Sequence, residues 1–370
     1  MSTLAIPPRL LLGPGPGNVP PAVLDALGLP LLGHLDPAFL AIVEEVKTML
    51  RQVFKTANQV TFPVSGTGSA GMEAALVNLI EPGDAVMVVV NGVFGVRLAN
   101  LADRLGARTI RLESPWGRAY DRAAFLAALS TQRPKLACLV NGETSTGVWQ
   151  DPAGLADAVH AEGGLLVLDC VTSLAGQEVD LDAWGVDVAY SGTQKCLSCP
   201  PGLAPVSFSP RALAAFRARS RPVPSFYLDL GEILKYLDGS SGRAYHHTAP
   251  ISMVYGLHQA LTLVLEEGLE ARWRRHREVA ARLIAGLEPL GFTPLVPAGE
   301  RLHPLTTLTL PAGLDEAGLR RRLLDEEGIE IGGGLGPLAG KIWRVGLMGH
   351  NARPEHVDRL IAALRRLLGP

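Results

Sequence analysis

The chain has 370 residues with a formal net charge of −2, and 47% of its residues are hydrophobic against 19% charged. This balance describes a folded globular protein with a large core and excludes a disordered or fibrous chain. No sustained basic stretch marks a nucleic-acid or anionic-membrane surface, no apolar run reaches the ~18 residues that span a bilayer, and no leader-like segment opens the chain, so a cytoplasmic protein is expected.

In chain order, Asp36-Pro37 supplies an N-cap and an N1 proline for a helix over 37–54, whose Leu40, Val43, Leu50 and Phe54 suggest one buried face. From residue 60 to 208, strand-like runs at 86–90, 107–112, 136–140, 165–169, 186–190 and 204–208 alternate with helical patterns at 69–80, 96–105, 121–130 and 152–161. Such alternation predicts an α/β fold, a mainly parallel sheet covered by helices on both faces. After Pro250 the texture changes: a long helical stretch over 251–287, strands at 306–310 and 341–346, and helices over 315–326 and from 353 onward predict a smaller α+β domain. No repeat or low-complexity tract interrupts this order.

Candidate chemistry centres on Lys195. The six lysines are Lys47, Lys55, Lys135, Lys195, Lys235 and Lys341, so few amines could form a Schiff base, and Lys341, after a glycine-rich loop, is the other serious candidate. Lys195 closes the run Ser191-Gly192-Thr193-Gln194-Lys195, downstream of Asp169, which ends an apolar strand-like run. In open α/β sheets that strand end faces the ligand. A lysine at the mouth of such a sheet with a carboxylate on a neighbouring strand end is what pyridoxal phosphate chemistry needs; the carboxylate would hold the pyridine nitrogen protonated.

Gly66-Thr67-Gly68-Ser69-Ala70-Gly71 matches the dinucleotide-binding pattern and precedes a helix. A nicotinamide-dependent dehydrogenase would also need an acid at the carboxyl end of the next strand, where Asn91-Gly92 stands instead. The glycines still suit a phosphate at a helix N-terminus. Residues 141–147, Asn-Gly-Glu-Thr-Ser-Thr-Gly, offer hydroxyls at another strand end. Arg344 lies inside an apolar strand, where burial requires an anion: a substrate carboxylate, or an internal acid. Cys196 and Cys199 form a C-x-x-C pair, half a zinc site or a redox dithiol, with no second pair or histidine pair to complete a metal site.

Gly13-Pro14-Gly15-Pro16, Gly33-His34-Leu35-Asp36-Pro37, residues 65–75, Asn91-Gly92-Val93-Phe94-Gly95, residues 191–195, Tyr245-His246-His247-Thr248 and residues 332–349 together resemble the class V aminotransferases, on the alanine–glyoxylate and serine–pyruvate branch. The resemblance runs in register over nearly the whole chain. It implies a fold type I pyridoxal-phosphate enzyme with a seven-stranded sheet, an N-terminal arm at 1–15, a large cofactor-binding domain at 16–262 and a small domain at 263–370.

Position by position, it implies that Lys195 carries pyridoxal 5'-phosphate as a Schiff base and moves the substrate proton, and that Asp169 binds the pyridinium nitrogen. Thr67, Gly68 and Gln194 would hold the phosphate, Ser69 would also lie at the cofactor, Phe94 would stack on the ring where the animal enzyme has tryptophan, and Thr144 would stand where a serine meets the ring hydroxyl. Ser69 replaces a histidine. Tyr245 and Thr248 would reach the phosphate of a partner subunit, implying a homodimer with shared sites, and Arg344 would bind the carboxylate of small amino and keto acids. The implied reaction moves an amino group from alanine or serine to glyoxylate or pyruvate in a ping-pong cycle, with serine–glyoxylate and ureidoglycine–glyoxylate transfer as alternatives. A cysteine desulfurase would need a late nucleophilic cysteine, and none follows Cys199. A binding protein without turnover would be expected to have lost Lys195, Asp169 or Arg344.

Overall fold

Seven strands form the central sheet in the order Val60–Ser65, Leu203–Phe208, Val188–Tyr190, Leu165–Asp169, Leu136–Val140, Ala85–Val90, Arg108–Glu113. This is a computed structural model that describes residues 4–237 and 244–369. Leu203–Phe208 runs antiparallel to both its neighbours, and the other registers are parallel. Every residue of Leu136–Val140 and Leu165–Asp169 is buried, as expected of central strands covered on both faces. The expected α/β class and the mainly parallel sheet are therefore found.

The helix Pro37–Phe54 spans the expected residues, and Asp36 accepts a hydrogen bond from the Ala38 amide at its start. Its inward face is Phe39, Val43, Val46, Leu50, Val53 and Phe54; Leu40 is only half-buried, because a stripe through Val43 and Leu50 at 3.6 residues per turn admits Phe39 instead. The segment expected as a helix over 152–161 is helical only at Ala156–Ala161. Before it, Asp151 turns the chain by accepting from the Ala153 amide.

A second hydrophobic core lies around a four-stranded antiparallel sheet ordered Thr293–Pro294, Leu305–Thr309, Ile342–Gly346, Gly332–Gly333. Leu10 and Leu12 of the N-terminal arm belong to this core, and Leu10–Leu11 pairs in parallel with Ile329–Glu330. The arm thus returns from the C-terminal part of the chain toward the central sheet. No helix among the described residues is long and apolar enough to cross a membrane.

The long helical stretch over 251–287 is two helices, Ile251–Glu267 and Leu269–Leu287, broken at Gly268. Gly268 has φ +81° and ψ 141°, a conformation open essentially to glycine alone. A β-carbon there would meet nothing within 4 Å, so a substitution isolates the backbone cost. Gly268→Ala is expected to lower unfolding stability by roughly 1–3 kcal/mol in urea denaturation. An unchanged midpoint would show that the break does not need the glycine conformation.

Candidate active site

The carboxyl ends of the parallel strands meet around a cavity of about 200 Å³ lined by Thr67, Gly68, Ser69, Phe94, Arg97, Thr144, Asp169, Gln194 and Lys195, among others. Eight of the expected site residues are thereby brought together. They arrive from five segments, residues 67–69, 94, 144, 169 and 194–195, each at or after the end of a different strand of the central sheet, which is how an open sheet assembles a ligand site at its carboxyl edge.

Asp169 ends the strand Leu165–Asp169 and is 3% exposed. Its carboxylate accepts from the Val171 amide at 2.8 Å and from the Tyr190 hydroxyl at 2.8 Å. Burial pushes its carboxyl up to about 7 against those two donors. Lys195, 9% exposed, donates from Nζ to the Pro14 carbonyl of the N-terminal arm. Burial lowers its ammonium to about 8. Gly15, at φ +99°, lies so close that a β-carbon would sit 2.5 Å from Nζ; the Gly-Pro-Gly-Pro run of the arm is therefore a wall of the lysine pocket.

The helix Gly68–Val77 begins at the cavity, and its N-cap Thr67 places no side-chain bond on the first turn. The Gln194 side-chain oxygen is buried without a hydrogen-bond partner. The positive end of this helix suits an anion, toward which Gln194 would turn its amide nitrogen rather than this oxygen. Phe94, on the first turn of the helix Val93–Arg104, forms another wall, with the Arg97 guanidinium 4.9 Å from its ring centroid. Thr144 shares a 2.7 Å hydroxyl contact with Thr172.

Glu143 has no role in the sequence reading. Fully buried, it accepts from the amides of Phe94 and Gly95 at 3.1 Å, from the Ser145 amide at 3.0 Å and from the Ser145 hydroxyl at 2.5 Å. Burial pushes its carboxyl up, and those four donors oppose the push. It fastens the wall bearing Phe94 to the loop bearing Thr144. The Gly-Glu-Thr-Ser run contains the signal, but its partners lie 48 and 49 residues upstream.

Arg344 is 7% exposed and outside the lining of the cavity itself. Its Nε donates to the Gly333 carbonyl at 2.7 Å and Nη1 to the Thr144 carbonyl at 3.4 Å, which places it beside the cavity wall. Among the described residues no acid forms a salt bridge with it, so the internal ion pair is not the explanation of its burial. Tyr245 is 65% exposed and shares a 3.1 Å hydroxyl contact with Thr248; neither lines this chain's cavity. Lys341 is exposed at the start of its strand. Cys196 and Cys199 are buried free thiols, each pushed up to about 12 by burial, which leaves little thiolate for redox chemistry.

Known proteins arrange the same elements in the same order. The family model for Aminotransferase class-V matches residues 11–360. Alanine–glyoxylate aminotransferase of Mus musculus is 42% identical over 368 residues, covering 99% of this chain and 89% of that protein. The (S)-ureidoglycine–glyoxylate transaminase of Bacillus subtilis is 38% identical over 383 residues, covering 99% and 92%. Among solved structures, an alanine–glyoxylate aminotransferase from Nostoc sp. superposes with a TM-score of 0.97 at 48% identity, covering 100% of this chain and 97% of that one. With a family match over most of its length and relatives of this identity, the chain belongs to the class V aminotransferases.

Proposed function

We propose that this aminotransferase uses pyridoxal 5'-phosphate and moves the amino group of alanine or serine to glyoxylate, or to pyruvate, in a ping-pong cycle. The observation that carries the reading is a buried carboxylate, Asp169, and a buried amine, Lys195, facing one cavity; burial pushes the first up and the second down. The cavity's chemistry fits the cofactor: an unpaired buried carboxylate for a protonated ring nitrogen, and an uncapped helix start for a phosphate. Both the mouse and the Bacillus relatives carry glyoxylate in their names, which supports glyoxylate as acceptor.

When bound, the cofactor supplies an aldehyde that exchanges with amines and a ring that withdraws electrons from the substrate Cα. Lys195 would anchor that aldehyde, and its freed neutral amine would take the proton from the substrate Cα and deliver it to the former aldehyde carbon. Asp169, dehydrated and without a counterion, gains its partner when a protonated ring nitrogen arrives, which ties cofactor binding to charge pairing. Thr67, Gly68, Ser69 and Gln194 hold the phosphate, with the Gln194 amide free to turn a donor toward it. Phe94 and Thr144 hold the ring, and Arg344 binds the substrate carboxylate through its guanidinium fork. Tyr245 and Thr248, exposed and outside the lining of their own cavity, serve the partner's phosphate in a homodimer with shared sites. We divide the chain into an arm at 1–15, a cofactor-binding domain at 16–262 and a small domain at 263–370; the second core, built from Leu10, Leu12 and residues from Val279 onward, supports the last of these, while Leu269, Leu302, Leu305 and Met348 cross into the first core, and we place the enzyme in the cytoplasm.

A panel of alanine, serine and ureidoglycine as donors against glyoxylate and pyruvate, with the product keto acids quantified, tests the reaction. Turnover with glyoxylate is expected, and none with any pair would refute the reading. In the same assay Arg344→Ala should cost about 2–4 kcal/mol, ~30-fold or more in kcat/KM, because it strands the substrate anion. A near-normal kcat/KM would make Arg344 a structural residue only.

Burial disfavours the ammonium of Lys195, so its neutral amine should accumulate through about pH 8 rather than near the ~10.4 of a free lysine. In cofactor-free protein, labelling of Lys195 by an amine-reactive probe, mapped by mass spectrometry, should rise with a midpoint near pH 8. Asp169→Asn removes a negative charge that favours the ammonium, so it should move that midpoint to lower pH. A midpoint in the ordinary lysine range would contradict the buried-amine account.

A further inference from the structure

The loop after Asp169 and the turn after Lys195 share a support that lies outside the cavity. Arg272, on the helix Leu269–Leu287 and 5% exposed, donates from Nε to the Ala175 carbonyl at 2.9 Å, from Nη2 to the Cys196 carbonyl at 2.5 Å and from Nη1 to Glu267 at 2.6 Å. Cys196 directly follows Lys195, and Ala175 lies in the turn that follows Asp169. Four non-glycine residues among those described have positive φ, and two of them lie in these segments: Ala175 at 65° and Ser198 at 58°. Such backbone persists only where surrounding contacts over-determine it.

The remaining contacts extend the same support to the segment that follows the Arg344 strand. Arg275 grips Glu267 and donates to the carbonyls of Gly349 and Ala352 at 3.0 and 2.6 Å. His276 donates from Nδ1 to the Arg272 carbonyl and accepts the Gly349 amide at Nε2, which fixes it as the neutral tautomer; burial lowers it to about 3. The His350 amide donates to Ser198 Oγ at 2.8 Å, and Ser198 in turn donates its own amide to the Lys195 carbonyl at 3.0 Å. One buried network therefore touches the segments carrying the carboxylate, the amine and the carboxylate-binding arginine.

We infer that Arg272 is a positioning residue for transamination, holding the Cys196 and Ala175 carbonyls in one planar fork and so fixing the Lys195 amine relative to Asp169. It rests on the proposal that Lys195 is the cofactor-bearing lysine. A lysine at 272 would keep the charge and lose the fork, since an ammonium cannot serve three acceptors in that fixed plane.

The test follows the capture of pyridoxal phosphate by cofactor-free enzyme, in which the lysine amine and the aldehyde condense to an imine with loss of water, by the visible absorbance that develops. Arg272→Lys should slow capture and lower kcat by ~10- to 100-fold, as expected for a reacting group displaced by a fraction of an ångström to an ångström, with the donor KM little changed. Leu283→Ala, a deletion in the second core on the same helix, serves as the stability control. It should lower the melting temperature and leave the capture rate within about two-fold, because its cavity cost lies away from the lysine turn. Ser198→Ala, which releases the same turn from its other side, should slow capture by ~2- to 10-fold.

Wild-type capture by Arg272→Lys would overturn the inference, as would an equal slowing in Leu283→Ala at matched melting temperature. If Arg272→Lys does not fold, Ser198→Ala decides on the same readout: slowed capture supports the positioning role and unchanged capture overturns it. Absorbance that still develops in Lys195→Ala would instead overturn the assignment of Lys195 itself, a failure separate from the kinetic one.

Discussion

The site depends on charges held out of water without ion partners. Asp169 and Arg344 are buried, Lys195 nearly so, and none forms a salt bridge among the described residues. Breaking a buried ion pair typically costs several kcal/mol because one charge is left uncompensated. On the proposed function the ligands would bring the missing partners: a protonated ring nitrogen, an aldehyde and a substrate carboxylate. The raised carboxyl of Asp169 and the lowered ammonium of Lys195 express the same dehydration with opposite sign.

Such a site needs a scaffold that does not relax around it. Fully buried central strands place Asp169 at a fixed edge, and Tyr190 on the neighbouring strand holds its carboxylate from the side. The amine is enclosed from the other end of the chain. The arm that carries Pro14 and Gly15 is anchored by Leu10 and Leu12 in the second core, so the cover over Lys195 is fastened to the part of the chain that carries Arg344. Glu143 performs the matching task on the opposite wall, tying Phe94 to the Thr144 loop.

Much of this was legible in the sequence because local rules and global fold agree there. Apolar runs located six of the seven central strands to within two residues, missing Val60–Ser65, and Asp36-Pro37 marked its helix start. Lys195, Asp169 and the Gly66–Gly71 loop stood out because their residue types are costly or permissive where the pattern placed them. The break at Gly268 was hidden: helical periodicity continues on both sides of a single glycine, and only its backbone angles show that two helices meet. Glu143 and Arg272 were hidden for another reason. Arg272 finds its carbonyl partners 97 and 76 residues away, and the acceptors are backbone atoms that leave no signature in residue type. The Arg344 strand was legible, but whether its guanidinium faced an acid or awaited a ligand required the packing around it.

All of this chemistry rests on Lys195 as the amine proposed to bind the cofactor covalently. Reducing cofactor-saturated protein with borohydride, digesting it and mapping the pyridoxyl-lysine by mass spectrometry tests this directly. One modified peptide, carrying the adduct on Lys195, is expected; an adduct on Lys341, or no pyridoxyl-lysine at saturation, would overturn that assignment.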